Sequence, residues 1–203
     1  MDPANELSSL AFLAPDLEAS ALIQMLRAET NENTLVSDAI EIACTAHAAQ
    51  HRDEGVPYIV HPLRVAYSLS TLDTSPTMLA AALLHDVIED APRYTRLVYS
   101  LHEEVAWLVE VLTEYWDEDY YGKILIAGQD AARVKTADRI DNLRFLHRTE
   151  QPKQVRYLRE TVRVFPPIVH AAQSVELTNA LGSLLTWHSD RIYKKDEELE
   201  MPS

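Results

Sequence analysis

Glycine is scarce in this chain, with four residues among 203, all of them scattered. That excludes a Gly-rich loop cradling phosphates through backbone N–H groups, and with it the P-loop and dinucleotide-binding folds. Cysteine occurs once, at Cys44, so no intramolecular disulfide can form, which fits a reducing, cytoplasmic setting. The apolar run LAAALL at 79–84 falls far short of the roughly 20 residues a membrane span needs. No signal-peptide pattern opens the sequence. Basic residues are also short, 18 against 32 acids, for a net charge of −14. Nucleic acid is therefore not the expected partner, because phosphate backbones are bound through clustered Lys and Arg. An anionic small molecule would need local cations or a metal to overcome the field of the whole protein.

What is present is helical periodicity. Residues 1–203 read as one domain with a core over about residues 34–190 and fraying termini, and strand-like alternation is nearly absent. Leu35, Ala39, Ile42, Ala43, Ala46 and Ala49 recur at threes and fours. Gly55 and Pro57 then break the pattern, predicting a short loop or hairpin near 52–60. Pro62 suits the first position of the next helix. Ser75-Pro76 predicts an N-cap and a helix running through residue 90. Further helices are expected at 95–114, 119–128, 129–148, 152–172 and 174–189, for an all-α bundle of about eight to ten helices.

The octet LLHDVIED at 83–90 places one histidine and three acids directly behind an apolar run. Charged groups are seldom buried unless paired or bound to a metal. On a helix, His85 and Glu89 are four apart, Asp86 and Asp90 four apart, and Asp86 and Glu89 three apart, so all four share one edge. His85 and Asp86 can give one imidazole and one carboxylate to a single ion, and further donors must come from elsewhere. His61 in PYIVHP and Asp138 in VKTADRIDN are the candidates. Two His and two Asp suit a hard or borderline divalent ion with open positions, Mn²⁺ or Fe²⁺. Zn²⁺, which favours a closed tetrahedral set richer in sulfur and nitrogen, ranks behind them.

In this order, the blocks AHAAQHR (46–52), GVPYIVHPLRVA (55–66), AAALLHDVIED (80–90), EEVAWLVEVLTE (103–114) and ARVKTADRIDNLRFL (132–146) resemble the HD-domain phosphohydrolases. More narrowly they are similar to the hydrolase domain of the RelA/SpoT family in its small stand-alone form, over about residues 36–172. The resemblance implies an HD-domain helical bundle that removes pyrophosphate from the ribose 3′ position of ppGpp and pppGpp with Mn²⁺. It places His61, His85, Asp86 and Asp138 on the metal, Glu89 and Asp90 on the catalytic acid pair, Arg52 against the guanine base and Asn142 on the substrate. Where the family commonly has Lys after that arginine, this chain has Asp53, which weakens the local positive field. Arg64, Lys135, Arg139 and Arg144 are cations in the matched blocks that could compensate, with Lys135 and Arg139 as candidate substrate contacts. The leading expectation is thus a guanosine 3′,5′-bis(diphosphate) 3′-pyrophosphohydrolase acting on a soluble guanine nucleotide, with no nucleic-acid or membrane partner and the oligomeric state open. Alternatives are an HD-type phosphatase on another nucleotide, such as the 2′-phosphate of NADPH or a 5′-monophosphate, and a non-catalytic nucleotide sensor. The histidines at 47, 51, 102, 147, 170 and 188 are read as structural, and Trp116, Tyr120 and Tyr121 as packing.

Overall fold

The computed structural model describes residues 13–52, 55–116 and 119–200, with side chains through Arg191. Among them there is no strand, and the helices follow in this order: α1 Ala19–Glu29, α2 Thr34–Ala46, α3 Val60–Ser70, α4 Pro76–Leu84, α5 Val87–Asp90, α6 Thr95–Leu101, α7 Glu103–Leu112, α8 Tyr120–Ala127, α9 Gln129–Phe145, α10 Gln151–Val164, α11 Pro166–Ala172 and α12 Val175–Glu200. Short 3₁₀ turns sit at Pro92–Tyr94 and Leu146–Arg148. The all-α expectation holds. Asp53 falls outside the described residues, as does most of the lead-in at 1–16.

α4 is the centre of the bundle. Ser75 caps it, its Oγ accepting from the Met78 N–H at 3.2 Å, and Pro76 occupies the first turn, where a missing N–H costs nothing. Every residue from Met78 to Leu84 is buried. A helix apolar all round has no solvent face, and α2, α3 and α7 pack on it. The long α9 lies against α3, α11 and α12, so α3 and α9 carry their inner faces toward the end of α4.

Three helices expected to be continuous are broken. The first break falls at His85 and Asp86, where the His85 ring takes the Ala82 carbonyl at 2.8 Å and so closes off the end of α4. His102 is extended, at φ −165° and ψ 136°, and starts α7 afresh with Glu103 and Glu104 in its first turn, the favourable end of the helix dipole for acids. The third break follows Phe165, where Pro166 and Pro167 have no N–H to continue α10. α1 was not anticipated. Its buried contacts are only Leu22 and Leu26, four apart, too few to stand out as a periodic stripe.

The segment before α3 forms the expected tight turn. Arg52 N–H donates to the Val56 carbonyl at 2.9 Å, His51 and Pro57 form a bridge, and Gly55 sits at φ +80°, a region favouring glycine. This turn aims Arg52 at Asn142 of α9 and Tyr58 at Asp86, just past α4.

His188 on α12 is fully enclosed and hydrogen-bonds the Leu143 carbonyl through Nε2 at 2.8 Å. Burial pushes its pKa down to about 4, the carbonyl opposing that shift and the Arg191 charge adding to it. The unfolded chain protonates this imidazole near pH 6.5 and the folded one does not, so stability falls as pH drops from 6.5 toward 4. Urea unfolding of the wild type is expected to lose up to about 3 kcal/mol across that window through this residue, and His188→Gln to lose correspondingly less.

Candidate metal centre

Three elements converge on one point. His61 stands in the first turn of α3, His85 and Asp86 at the break after α4, and Asp138 in the middle of α9. One donor atom each from His61, His85 and Asp86 lie within 4.8 Å of one another. Asp138 Oδ1 joins them, 3.2 Å from His61 Nε2 and 3.9 Å from His85 Nε2. Asp86 Oδ2 is 3.1 Å from His85 Nε2 and 3.7 Å from His61 Nε2. All but Asp86 are buried.

Both imidazoles are fixed from behind. His85 Nδ1 faces the Ala82 carbonyl, which can only accept, so Nδ1 carries a proton and Nε2 faces the cluster. That Nε2 is buried with no hydrogen-bond partner, and a buried orphan nitrogen beside two carboxylates fits a metal-ligand position. Burial works against charge on His85, but the Asp86 carboxylate, with Asp138 behind it, lifts its pKa to about 9. Proton and metal compete for the same lone pair. His61 Nδ1 meets Asp141 Oδ2 at 2.7 Å, the carboxylate–histidine pair that orients a ligating ring. Asp141 in turn accepts from Arg64 Nε at 2.8 Å and Nη2 at 3.0 Å. Burial alone would raise Asp141, yet Arg64 and His61 hold it far below the usual carboxylate range. Nothing in the spacing of KTADRIDN singled out Asp141 for this place, although it stands one helical turn after Asp138.

The acid pair lies just beyond. Glu89 shares with His61, Asp86 and Asp138 a pocket of about 250 Å³, and its Oε2 accepts from the Glu114 N–H at 3.1 Å. Asp90 is exposed. Burial raises both carboxyls above their ordinary values, with the Asp86 charge pushing the same way. Tyr58, which was not anticipated, donates to Asp86 Oδ2 at 2.7 Å and also acts on the Asp90 carboxyl.

A second cleft of about 210 Å³ adjoins this pocket and shares Tyr58, Asn142 and Tyr157 with it. Arg52 lines the cleft and donates from Nη2 to Asn142 Oδ1 at 2.7 Å, while Asn142 Nδ2 donates to Asp138 Oδ1 at 2.6 Å. Arg52, Asn142 and Asp138 are therefore joined in one hydrogen-bonded chain. Lys135 donates to Asp138 Oδ2 at 2.9 Å. Arg139 borders the pocket, but its guanidinium lies between the Tyr157 and Phe165 rings, 4.0 and 4.1 Å from their centres, and its Nη groups donate to Glu160, Tyr121 and Thr161. This engagement favours packing over substrate contact. Arg64 and Arg144 are likewise buried, on Asp141 and the Ala14 carbonyl. Of the aromatic trio, Tyr120 and Tyr121 wall the pocket, and Trp116 is 96% exposed.

Residues 39–123 match the model of the HD domain. The chain is 32% identical over 174 residues to a guanosine-3′,5′-bis(diphosphate) 3′-pyrophosphohydrolase of Aquifex aeolicus, covering 80% of this chain and 25% of that protein. It is 36% identical over 143 residues to the bifunctional (p)ppGpp synthase/hydrolase SpoT of Escherichia coli K12, covering 64% of this chain and 20% of SpoT. The chain thus spans about a quarter or less of these curated relatives. A solved structure described as "A metazoan ortholog of SpoT hydrolyzes ppGpp and plays a role in starvation responses" superposes with a TM-score of 0.66 at 24% identity, over 76% of this chain and 96% of that one. The last likeness establishes the fold.

A divalent cation at 100 times its Kd is expected to stabilise the folded protein by about 2.7 kcal/mol, read as a rise in Tm that EDTA reverses. Asp141→Asn, which unties His61, should weaken the cation's Kd about 10- to 100-fold and shrink that rise.

Proposed function

We propose that the chain, whose residues 39–123 match the model of the HD domain, is a metal-dependent 3′-pyrophosphohydrolase of guanosine 3′,5′-bis(diphosphate), releasing pyrophosphate and GDP, or GTP from the pentaphosphate. The observation that carries this reading is the buried, unpartnered His85 Nε2 facing Asp86 and Asp138, next to a cleft lined by Arg52 and Asn142. His61, His85, Asp86 and Asp138 would hold the ion, Mn²⁺ first, with Fe²⁺ and Zn²⁺ as alternatives. Such an ion, when bound, supplies Lewis acidity toward the phosphoryl group and toward water. That no helix among the described residues is long and apolar enough to cross a membrane agrees with a soluble nucleotide as substrate, and the lone cysteine with a cytoplasmic setting.

The chain's own residues divide the remaining work. Arg52, on the tight turn and bonded through Nη2 to Asn142, would offer a flat guanidinium to the guanine. Asn142 ties that recognition to the ligand carboxylate of Asp138. Glu89, anchored through the Glu114 N–H, orients the attacking water, and Glu89 and Asp90, with carboxyls raised toward neutrality, accept its proton. Water oxygen joins the phosphorus linked to the 3′ oxygen, the bond from that phosphorus to the 3′ oxygen breaks, and the departing oxygen becomes a hydroxyl with the proton that the acid pair took from water. Lys135, 2.9 Å from Asp138 in the same pocket, would face the departing phosphates.

Incubation of the protein with ppGpp and Mn²⁺ is expected to give GDP and pyrophosphate in equal amounts. Release of orthophosphate from NADPH or a nucleoside monophosphate, with ppGpp untouched, would move the substrate to the alternative phosphatase reading. Glu89→Gln and Asp90→Asn should each lower kcat by about 10²- to 10⁴-fold while keeping the cation-induced rise in Tm. Arg52→Ala should act mainly on KM, because its contact with the base is the same in ground and transition states.

A further inference from the structure

His47 and Gln50 take no part in the chemistry described above, yet they touch the element that bears it. α5 is a single turn, Val87–Asp90, and one turn has no stability of its own. Its direction must be set from outside. The Asp90 carbonyl is at the end of that turn, among the groups a helix leaves without an internal acceptor role. Gln50 Nε2 donates to it at 2.7 Å, from forty residues earlier in the chain. Since a carbonyl can only accept, the Gln50 amide orientation is fixed, and its Oε1 faces His47 Nδ1 at 2.5 Å. His47 must therefore donate from Nδ1. It is buried, 1% exposed, and packs its ring on Tyr58 at 5.0 Å between centroids, the tyrosine that donates to Asp86.

We propose that His47 and Gln50 are positioning residues: a hydrogen-bonded clamp, His47 Nδ1 to Gln50 to the Asp90 carbonyl, sets the orientation of the one-turn helix and so aims Glu89 and Asp90 at the metal pocket. The proposal rests on the catalytic reading of that acid pair and adds the device that places it. Gln50 is only partly buried, so replacing it leaves the core intact. For His47 the asparagine variant keeps a donor near the Nδ1 position, while the leucine variant keeps bulk without the donor.

The test uses the full chain with Mn²⁺ and ppGpp, together with hydrogen exchange of the segment 85–92 measured without substrate. Gln50→Leu and His47→Leu are expected to lower kcat about 10- to 100-fold, the cost of a small misplacement of catalytic groups, with KM and the cation-induced rise in Tm unchanged. In both variants exchange in 85–92 should quicken at least about fivefold, since that turn loses its outside support. His47→Asn should restore kcat to within a few-fold of wild type. Folded leucine variants with wild-type kcat and wild-type exchange would overturn the clamp, as would a loss of kcat without faster exchange, or an asparagine variant no better than leucine. If wild-type protein does not turn over ppGpp, the functional reading fails, and the exchange data still decide whether the clamp exists.

Discussion

A buried charge in a helical bundle survives only if other groups take over the role of water, and this requirement governs the middle of the molecule. Moving an unpaired ion out of water costs several kcal/mol even after relaxation. Here each carboxylate around the site has fixed neighbours: Asp138 takes Lys135 and Asn142, Asp86 takes Tyr58 and lies 3.1 Å from the His85 ring, and Asp141 takes Arg64 and His61. Those partners come from α3, the end of α4, α9 and the turn before α3. The packing of these elements against one another therefore sets the geometry of the polar cluster, and a shift in one is felt by all.

The same requirement bears on how an acidic protein can face the acidic ligand proposed for it. With a net charge of −14, the general field repels phosphate. Most of the arginines in the motif blocks do not answer this, because Arg64, Arg139 and Arg144 are committed to internal partners. Three guanidinium groups, of Arg64, Arg144 and Arg148, lie over the one Phe145 ring and act as internal counter-charges. Lys135 in the pocket and Arg52 in the neighbouring cleft are bonded to Asp138 and Asn142, and their charge adds at the opening to whatever a bound cation contributes.

Much of this was legible in the sequence because it is local. Helical period, the Ser75-Pro76 start and the Gly55 turn each depend on a few adjacent residues, and the structure realises all three. The candidate ligands stood out because their blocks carry recognisable flanks in a fixed order, and the structure brings His61, His85, Asp86 and Asp138 to one place. What was missed depends on distant partners. Asp141 and Tyr58 acquire their roles only when α3, α4 and α9 meet, and Tyr157 and Glu160 arrive from α10. The break at His85 could not be foreseen from propensity, because it depends on an imidazole taking the carbonyl of Ala82.

The contrast between the carboxylate behind His61 and the acid pair on α5 has a consequence for behaviour under acid stress. Asp141 is enclosed by arginines and stays ionised to very low pH, whereas Glu89 and Asp90 are already shifted toward taking up protons. Of these carboxylates, Asp141 is therefore the one that keeps its charge, and its hold on the His61 ring, deepest into acid, while the pair on α5 gives up its charge earlier.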